Sequence, residues 1–413
     1  MILGLTIYFT SVKLVDNRIL SFVLTIGAMY MMQPYVAARA QLPTFILFVL
    51  TIFFIERFLE TNKKRYAVGL FIIPVIISNI HAAVFPFYFI LYLPYVAEYL
   101  LCVLCKKKET EEETEKEPYK VIMRRNNKGK WLIVIMLVCL GAGLLTPVFP
   151  VPYTYVYNKL MGETMQSINE HLPLVIMNNI NFIVASMFFL IILMFTDTKI
   201  RLCDLFMLGG LIALTFNSRR QESMFILAGV FILIRLINAM FEKYDPEGCS
   251  KMERAVSKRK IQVVVILVVT LLAIDLYRPK MGNPFINEHS YPTGAATFML
   301  ENLDVDNIRL YNEYNYGAYL VYRGIPVFID SRASLYAPEF NPDVYVFRDF
   351  INISGLNVTN IEERFDYYGI THLIMFENAR LRMFINQSPE RYNNIYDDGR
   401  FVVYERTQSS NLH

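Results

Sequence analysis

Long apolar segments separated by short polar stretches fill this chain from Met1 to Tyr277. A helix needs roughly 20 apolar residues to cross a bilayer without tilting. Several of the segments approach that length, and the pattern predicts an α-helical polytopic membrane bundle of about ten helices. The segments run approximately Met1–Val12, Ile19–Val36, Pro43–Phe58, Tyr66–Ile80, Ala83–Leu104, Trp131–Leu145, Ile180–Phe195, Leu205–Phe216, Met224–Met240 and Ile261–Tyr277.

The pattern changes after Tyr277. Residues 278–413 contain no segment long enough to cross a bilayer. Their spacing predicts an amphipathic helix at Pro292–Leu303, and Asp398-Gly399 is a hairpin-turn signal. We therefore predict a transmembrane helical domain, residues 1–277, followed by a small α/β domain, residues 278–413. The predicted strands are Asn307–Tyr311, Val327–Ile329, Leu373–Phe376, Asn393–Tyr396 and Phe401–Glu405.

Composition agrees with a membrane protein. The chain is 54% hydrophobic, with a mean hydropathy of +0.35, which is too apolar for a soluble protein of 413 residues. It carries no P-loop, no GxGxxG after a strand, no HExxH and no GxSxG. No basic face supports nucleic-acid binding. The sequence therefore gives no support for the common classes of soluble enzyme or for a nucleic-acid partner.

Basic residues fall in every second loop, which predicts the orientation of the helices. This alternation places the charged stretch 106–130 in the cytoplasm as a solvated linker and the C-terminal domain outside the cytoplasm. It also places the N-terminus outside, so we expect that an upstream helix and the loop after it are missing from this chain. The basic loops are Lys13–Arg18, Lys63–Arg65, 106–130, Lys199–Arg201 and 242–260.

Polar residues in the outer loops are the candidates for chemistry, because charge at the end of a membrane helix is costly unless it lines a cavity or reaches the interface. Arginine offers the paired donors that suit phosphate, and histidine or glutamate can transfer a proton. The alternative is interface anchoring, in which arginines extend to headgroups. The candidates are Arg39, Asn79, His81, Glu170, His171, Arg219 and Arg220.

Asp330 and Arg332 follow the predicted strand Val327–Ile329. Ligand sites of α/β sheets lie at the carboxyl ends of strands, so this position favours a binding site. The alternative is that the two side chains pair and stabilise their own turn.

Two motifs in this region carry a resemblance to a known family. Tyr316-Gly317-Ala318-Tyr319-Leu320 and Pro326-Val-Phe-Ile-Asp-Ser-Arg332 resemble the C-terminal domain of bacterial GT-C-type glycosyltransferases, which include protein mannosyltransferase-like and lipid A sugar transferase-like groups. Ala82, Ala318 and His171 depart from the family pattern, and the acidic residue of the family's first outer loop has no counterpart here. Further stretches resemble the family in order, namely Arg39–Pro43, Asn79–His81, Thr146–Pro147, Ile168–His171, Arg219–Arg220 and Asp397–Tyr404.

The resemblance implies a GT-C-like bundle that transfers a sugar from a polyprenyl-phosphate donor to an envelope glycan or protein acceptor at the outer face of the membrane. Glu170 and His171 would lie beside the acceptor as catalytic residues. No protein metal ligands are predicted, and a need for a divalent metal is left open. The implied substrate-binding residues are Arg39, Asn79, His81, Arg219, Arg220, Asp330 and Arg332.

A second interpretation stays open at this point. The chain would be a non-catalytic envelope membrane protein whose outer domain binds a glycan or a protein partner. A transporter is less favoured, because the apolar segments show neither mid-membrane charge pairs nor an inverted repeat.

Overall fold

A computed structural model describes residues 1–36, 40–106, 119–162, 172–278, 282 and 286–407. Its contacts divide the chain into two compact units. The first contains the helices up to Leu267, and the second contains the residues from Val268 onward.

Helices that largely follow the apolar segments of the sequence build the first unit. They are α1 (Ile2–Val15), α2 (Arg18–Met31), α3 (Gln41–Thr61), α4 (Lys64–Ile80), α5 (Phe85–Ile90), α6 (Leu93–Leu104), α7 (Gly129–Leu140), α8 (Val151–Met161), α9 (Ile180–Phe195), α10 (Leu202–Asn217), α11 (Glu222–Tyr244), α12 (Pro246–Val256) and α13 (Arg259–Tyr277), the last of which runs past Leu267.

Three helical stretches among the described residues are long and apolar enough to cross a membrane: Gln41–Thr61, Ala82–Leu104 and Arg219–Tyr244. The second joins a 3₁₀ turn to α5 and α6, and the third joins a 3₁₀ turn to α11. Shorter apolar helices accompany them, including α1, α2, α9 and α10. The structure is therefore mostly helical with candidate membrane spans, while the number of crossings stays a prediction.

The outer and inner surfaces of this unit are both apolar. On α9, Met187 and Met194 are 50% and 70% exposed, as lipid-facing side chains would be. From Met224 to Ile234 helix α11 is apolar on all sides, and its Phe225, Leu227 and Phe231 are almost fully buried. A helix that is hydrophobic all round belongs in the centre of a bundle, which is the place α11 takes.

Two predicted loops contain helices, which corrects the sequence analysis. Helix α8 lies in the predicted outer loop between the segments Trp131–Leu145 and Ile180–Phe195, and α12 lies in the predicted inner loop 242–260. Asp245 caps α12 by accepting a hydrogen bond from the Gly248 N–H at 2.9 Å, and Pro246 occupies the first turn. These are helix-start signals in a segment whose many charges favoured a loop.

The described end of the predicted cytoplasmic linker is ordered against the bundle. Strand β1 (Val121–Ile122) pairs in parallel with β2 (Ile200–Arg201). The Lys120 ammonium donates to the carbonyls of Leu193 and Thr196 at 2.7 and 2.9 Å, which fixes this segment at the end of α9. Residues 107–118 of the predicted linker lie outside the described residues.

The second unit has a four-stranded sheet in the order β3-β4-β6-β5, in which β3 and β4 are parallel and the other pairs are antiparallel. Gly399 has a φ of 78° in the turn that joins β5 to β6, so the predicted hairpin is confirmed. The elements are α14 (Thr293–Asn302), β3 (Leu310–Asn312), α15 (Gly317–Tyr322), α16 (Val346–Ser354), α17 (Ile361–Tyr367), β4 (His372–Phe376), α18 (Arg380–Ile385), β5 (Tyr392–Asp397) and β6 (Phe401–Arg406).

The prediction of a strand at Val327–Ile329 is wrong. The side chain of Asn312 takes the place of a neighbouring strand: its Oδ1 accepts from the Phe328 N–H at 2.8 Å, and its Nδ2 donates to the Ile329 carbonyl at 2.8 Å. These bonds satisfy extended backbone without a ladder of strand pairing. The predicted strand Asn307–Tyr311 also shifts, since β3 begins only at Leu310.

Candidate functional site

The turn between α10 and α11 carries both arginines of the predicted outer pair. Arg219–Gln221 forms a 3₁₀ turn there. The Arg219 N–H donates to the Leu172 carbonyl at 3.0 Å, and the Leu174 N–H donates to the Phe216 carbonyl at 3.3 Å. The segment that leads to α9 is thus held along the arginine turn by backbone hydrogen bonds.

A carboxylate and a tyrosine complete this turn. Glu222 is 4% exposed, and its Oε2 accepts from the Tyr35 hydroxyl at 2.8 Å. Tyr35 belongs to the segment after α2, so this contact joins two helix ends that are distant in sequence. Sequence analysis did not find Tyr35. The available signal for Tyr35 is its place after Gln33-Pro34, where the apolar segment ends.

The two guanidinium groups have different surroundings. Arg219 interacts electrostatically with Tyr35, and its Nε is buried with no hydrogen-bond partner in the described part of the chain. Arg220 interacts with Tyr155 of α8. A buried N–H without an acceptor costs roughly 1–3 kcal/mol, so the Arg219 fork is suited to an added acceptor such as a phosphate oxygen. We call Tyr35, Tyr155, Arg219, Arg220 and Glu222 the arginine cluster.

Asn79 and His81 lie in a second polar group of the first unit. The Asn79 amide donates to the carbonyls of Val75 and Leu145 at 2.8 and 3.0 Å. The His81 Nδ1 lies 3.2 Å from the Thr44 Oγ1 in the first turn of α3. The Asn79 amide therefore donates both of its hydrogens to backbone carbonyls. Asn79 and His81 each connect the ends of two helices.

Helix α8 interacts with Phe85 through one tyrosine and with Arg220 through another. Its Tyr153 ring packs edge to face against Phe85 at 5.8 Å, next to the Asn79–His81 segment, while Tyr155 interacts with Arg220. Residues two apart on a helix point about 200° apart, so these tyrosines lie on opposite sides of α8. Three predicted site residues, Arg39, Glu170 and His171, lie outside the described residues.

Asp330 and Arg332 form a closed pair in the second unit. Asp330 is 1% exposed and accepts from the Arg332 N–H at 2.8 Å and from its Nε at 3.0 Å. Burial opposes ionisation of Asp330, but the hydrogen bonds from Arg332 outweigh it and lower the pKa of this carboxyl group. The geometry supports the alternative given above, in which the pair stabilises its own turn.

Glu313 was missed by sequence analysis. It follows β3, and burial without a compensating positive charge raises the pKa of its carboxyl group to about 7. The hydroxyl of Tyr311, two residues earlier, is buried and has no hydrogen-bond partner among the described residues. Burial, with a smaller effect from the nearby charge of Glu313, raises the pKa of Tyr311.

Sequence analysis also missed a set of buried charges inside the first unit. Arg201 contacts Glu56 at 2.6 Å and Asp204 at 2.9 Å. Arg235 contacts Asp204 at 2.5 Å, and the Tyr95 hydroxyl donates to Glu56 at 2.9 Å. Glu56 and Arg235 stand inside predicted apolar segments, so isolated charges in those segments were the available signal. We call these five residues the buried ion network.

Among the described residues, no group of three or more histidine, cysteine, aspartate and glutamate side chains is arranged to hold a metal ion. No protein-family model matches this chain, and no curated protein sequence matches it.

Proposed function

We propose that this chain is a membrane glycosyltransferase-like protein that uses a polyprenyl-phosphate-linked sugar, and that the arginine cluster binds the donor phosphate. The buried Arg219 Nε without an acceptor in the described chain carries this proposal. Two consecutive arginines lie at one end of an apolar helix that is long enough to cross a membrane. The end of a helix that crosses the membrane lies at the depth of the phosphate of a membrane lipid.

The arginine cluster is suited to stabilise polyprenyl phosphate as a leaving group. In the proposed transfer, an acceptor hydroxyl attacks the anomeric carbon of the sugar and the bond from that carbon to the phosphate oxygen breaks. Polyprenyl phosphate leaves with the bonding electrons, and the arginines stabilise its added negative charge. The acceptor proton passes to a base. Glu170 and His171 are the proposed bases, and the chain reaches the cluster at Leu172 directly after them.

Glu222 would keep the cluster selective for one anion. Its carboxylate offsets part of the positive charge of the two arginines and is itself bound by Tyr35. The cluster then holds a phosphate monoester or diester rather than acting as a bare cationic surface. The proposal also places the C-terminal domain outside the cytoplasm, where an envelope glycan or protein acceptor is found.

Release of polyprenyl phosphate tests the proposal without knowledge of the acceptor. Full-length protein in lipid vesicles is given polyprenyl-phosphate-linked hexoses together with an extract of envelope glycans. Wild-type protein should release polyprenyl phosphate, and a variant with Arg219→Ala and Arg220→Ala should release at least ~100-fold less, as expected for loss of preorganised charge stabilisation. Arg65→Ala removes an exposed arginine elsewhere and is the matched control. Equal release by the double variant and wild type would contradict the proposal.

A second candidate function rests on a cleft in the second unit. The cleft has a volume of about 410 Å³ and is lined by Phe376, Glu377, Asn378, Gly399 and Arg400. Planar polar side chains beside an aromatic ring are typical of sugar-binding surfaces, and the volume falls in the range of small-ligand sites. A non-catalytic glycan-binding protein would bind envelope glycans through this cleft. It would lose that binding with Arg400→Ala while the arginine-cluster variant bound normally.

A further inference from the structure

Helix α12 and the turn that leads to α13 form a basic surface at the carboxyl end of α11. Between Lys251 and Lys260 the chain has five basic residues and one acidic residue, a net charge of +4 over ten positions. The basic residues, all exposed, are Lys251, Arg254, Lys258, Arg259 and Lys260. We call them the α12 basic patch.

Little of this charge is neutralised by the protein. Among ion pairs between described residues, the patch contributes Lys251 with Glu247 at 2.8 Å, and both side chains are more than two thirds exposed. Exposed pairs of this kind contribute little to stability and are readily exchanged for another partner. Arg254 donates to the backbone carbonyl and the hydroxyl of Ser250, each at 3.2 Å, and so keeps its full charge.

The patch follows the carboxyl end of a helix that is long enough to cross a membrane. Helix α11 has 23 residues, and a helix of that length spans about 35 Å, close to the hydrocarbon thickness of a bilayer. Helix α12 begins directly after it, and α13 follows with exposed apolar residues such as Val263 and Ile266. When α11 crosses a bilayer, the basic segment between it and α13 reaches the depth of the lipid headgroups.

The short helix is also amphipathic. It packs against α2 and α11. Val256 is partly buried, while Lys251 and Arg254, three positions apart on the opposite face, are exposed. A helix with one face on the protein and a basic face turned outward has the character of a segment that lies along a membrane surface.

We propose that the α12 basic patch binds the anionic headgroups of the membrane leaflet at the carboxyl end of α11. This leaflet is opposite the one that meets the arginine cluster, because Arg219 precedes the amino end of the same helix. A lysine or arginine close to an anionic leaflet strengthens binding by about fivefold, so several such residues select anionic over zwitterionic lipid. The inference does not depend on the proposed glycosyltransferase activity.

Native mass spectrometry of the full-length protein in detergent tests the proposal. The protein is titrated with phosphatidylglycerol or with phosphatidylcholine of the same chain length, and the bound lipid is counted. A variant with Lys251→Gln, Arg254→Gln and Lys258→Gln should lose at least ~10-fold in apparent affinity for phosphatidylglycerol, while binding of phosphatidylcholine stays unchanged. A variant with Lys251→Arg and Lys258→Arg should bind phosphatidylglycerol as wild type does.

The matched control removes the same number of charges from exposed lysines elsewhere, with Lys13→Gln, Lys63→Gln and Lys64→Gln. This control should keep wild-type binding. Equal losses in the two triple variants would show only diffuse attraction to positive charge and would overturn the proposal. Unchanged binding by the α12 variant would also overturn it. Full displacement of the lipid by inorganic phosphate at equal concentration would assign the patch to a soluble anion instead.

Discussion

Arg201 binds Glu56 through both terminal nitrogens of its guanidinium group, with nitrogen–oxygen distances of 2.9 and 2.6 Å. The Glu56 side chain is 12% exposed, and the Arg201 side chain is 26% exposed. Arg235 also lies 3.6 Å from Glu56. The Glu56 carboxylate on α3 therefore balances the positive charge of two arginines, Arg201 and Arg235. Its removal would leave part of that charge unbalanced.

The buried ion network is expected to be essential for the stability of the first unit. Removing one member of a buried pair leaves an uncompensated charge, which costs about 3–5 kcal/mol. Glu56→Ala should therefore lower the midpoint of thermal unfolding in detergent far more than Glu60→Ala. Glu60 is the control because it pairs with Arg57 on the same helix but is 61% exposed, where a pair contributes about 1 kcal/mol or less. Equal midpoints for the two variants would show that the network does not support the bundle.

Gly317 is expected to tolerate no side chain. A Cβ atom at this position would lie 2.1 Å from the Ile329 carbonyl oxygen, and that oxygen is held by the Asn312 amide. Gly317→Ala should destabilise the second unit by about 1–3 kcal/mol, because backbone must shift to make room. The measurement is hydrogen exchange of β3 in the full-length protein. Ala318→Ser, at the exposed neighbouring position, is the control, and equal protection in both variants would contradict the close packing.

Glu313 should make the stability of the second unit depend on pH. Its folded pKa of about 7 lies above the ordinary value of 4.5, so the folded state favours the protonated form. The stabilisation of the folded state by the protonated Glu313 carboxyl group is fully present below about pH 4.5 and is lost as the pH rises through 7. Glu313→Gln imitates the neutral form and should raise the unfolding midpoint at pH 8, with little change at pH 4.5.

The control for Glu313 is Glu390→Gln, which removes an exposed carboxylate. It should leave the difference between the two pH values as in wild type. If Glu313→Gln gives the same midpoint as wild type at pH 8, the carboxyl group is ionised in the folded protein without cost and the argument from burial fails.

Topology is tested by reporter fusions. The alternation of basic loops predicts that a reporter after Thr407 and a reporter within residues 107–118 report opposite sides of the membrane. An alkaline phosphatase fusion should be active only after Thr407, and a fluorescent protein that folds only in the cytoplasm should be active only in the linker. Activity of the same reporter at both positions would contradict the orientation and the outer location of the arginine cluster.

The sequence predicts the helices that are marked by long, uninterrupted runs of apolar residues. Helices α3, α4 and α9 begin within a few residues of the predicted segments, because a run of apolar residues leaves little else for the backbone to form. Strand assignment at Val327–Ile329 fails because the partner of that segment is a side chain, Asn312, rather than another strand. A side chain that substitutes for a strand leaves no periodic signal in the segment it binds.

The candidate site is only partly predictable for a similar reason. Arg219 and Arg220 are visible in the sequence because they oppose the distribution of positive charge. Tyr35 is not visible, because its contact with Glu222 joins positions 187 residues apart and depends on how α2 and α11 pack. The buried ion network is likewise assembled from four separate helices and the end of strand β2.

Binding of polyprenyl phosphate by arginine variants tests the central claim most directly. This lipid is common to all the proposed donors, so the measurement needs no knowledge of the sugar. Arginine holds phosphate through paired hydrogen bonds that lysine does not reproduce. Arg219→Lys and Arg219→Ala should each weaken binding by about tenfold or more, a loss of about 1.4 kcal/mol. Arg65→Lys, at an exposed arginine, should bind as wild type does. Wild-type affinity for Arg219→Lys and for Arg220→Lys would contradict the account, because a residue that only anchors the helix at the interface needs just a positive tip.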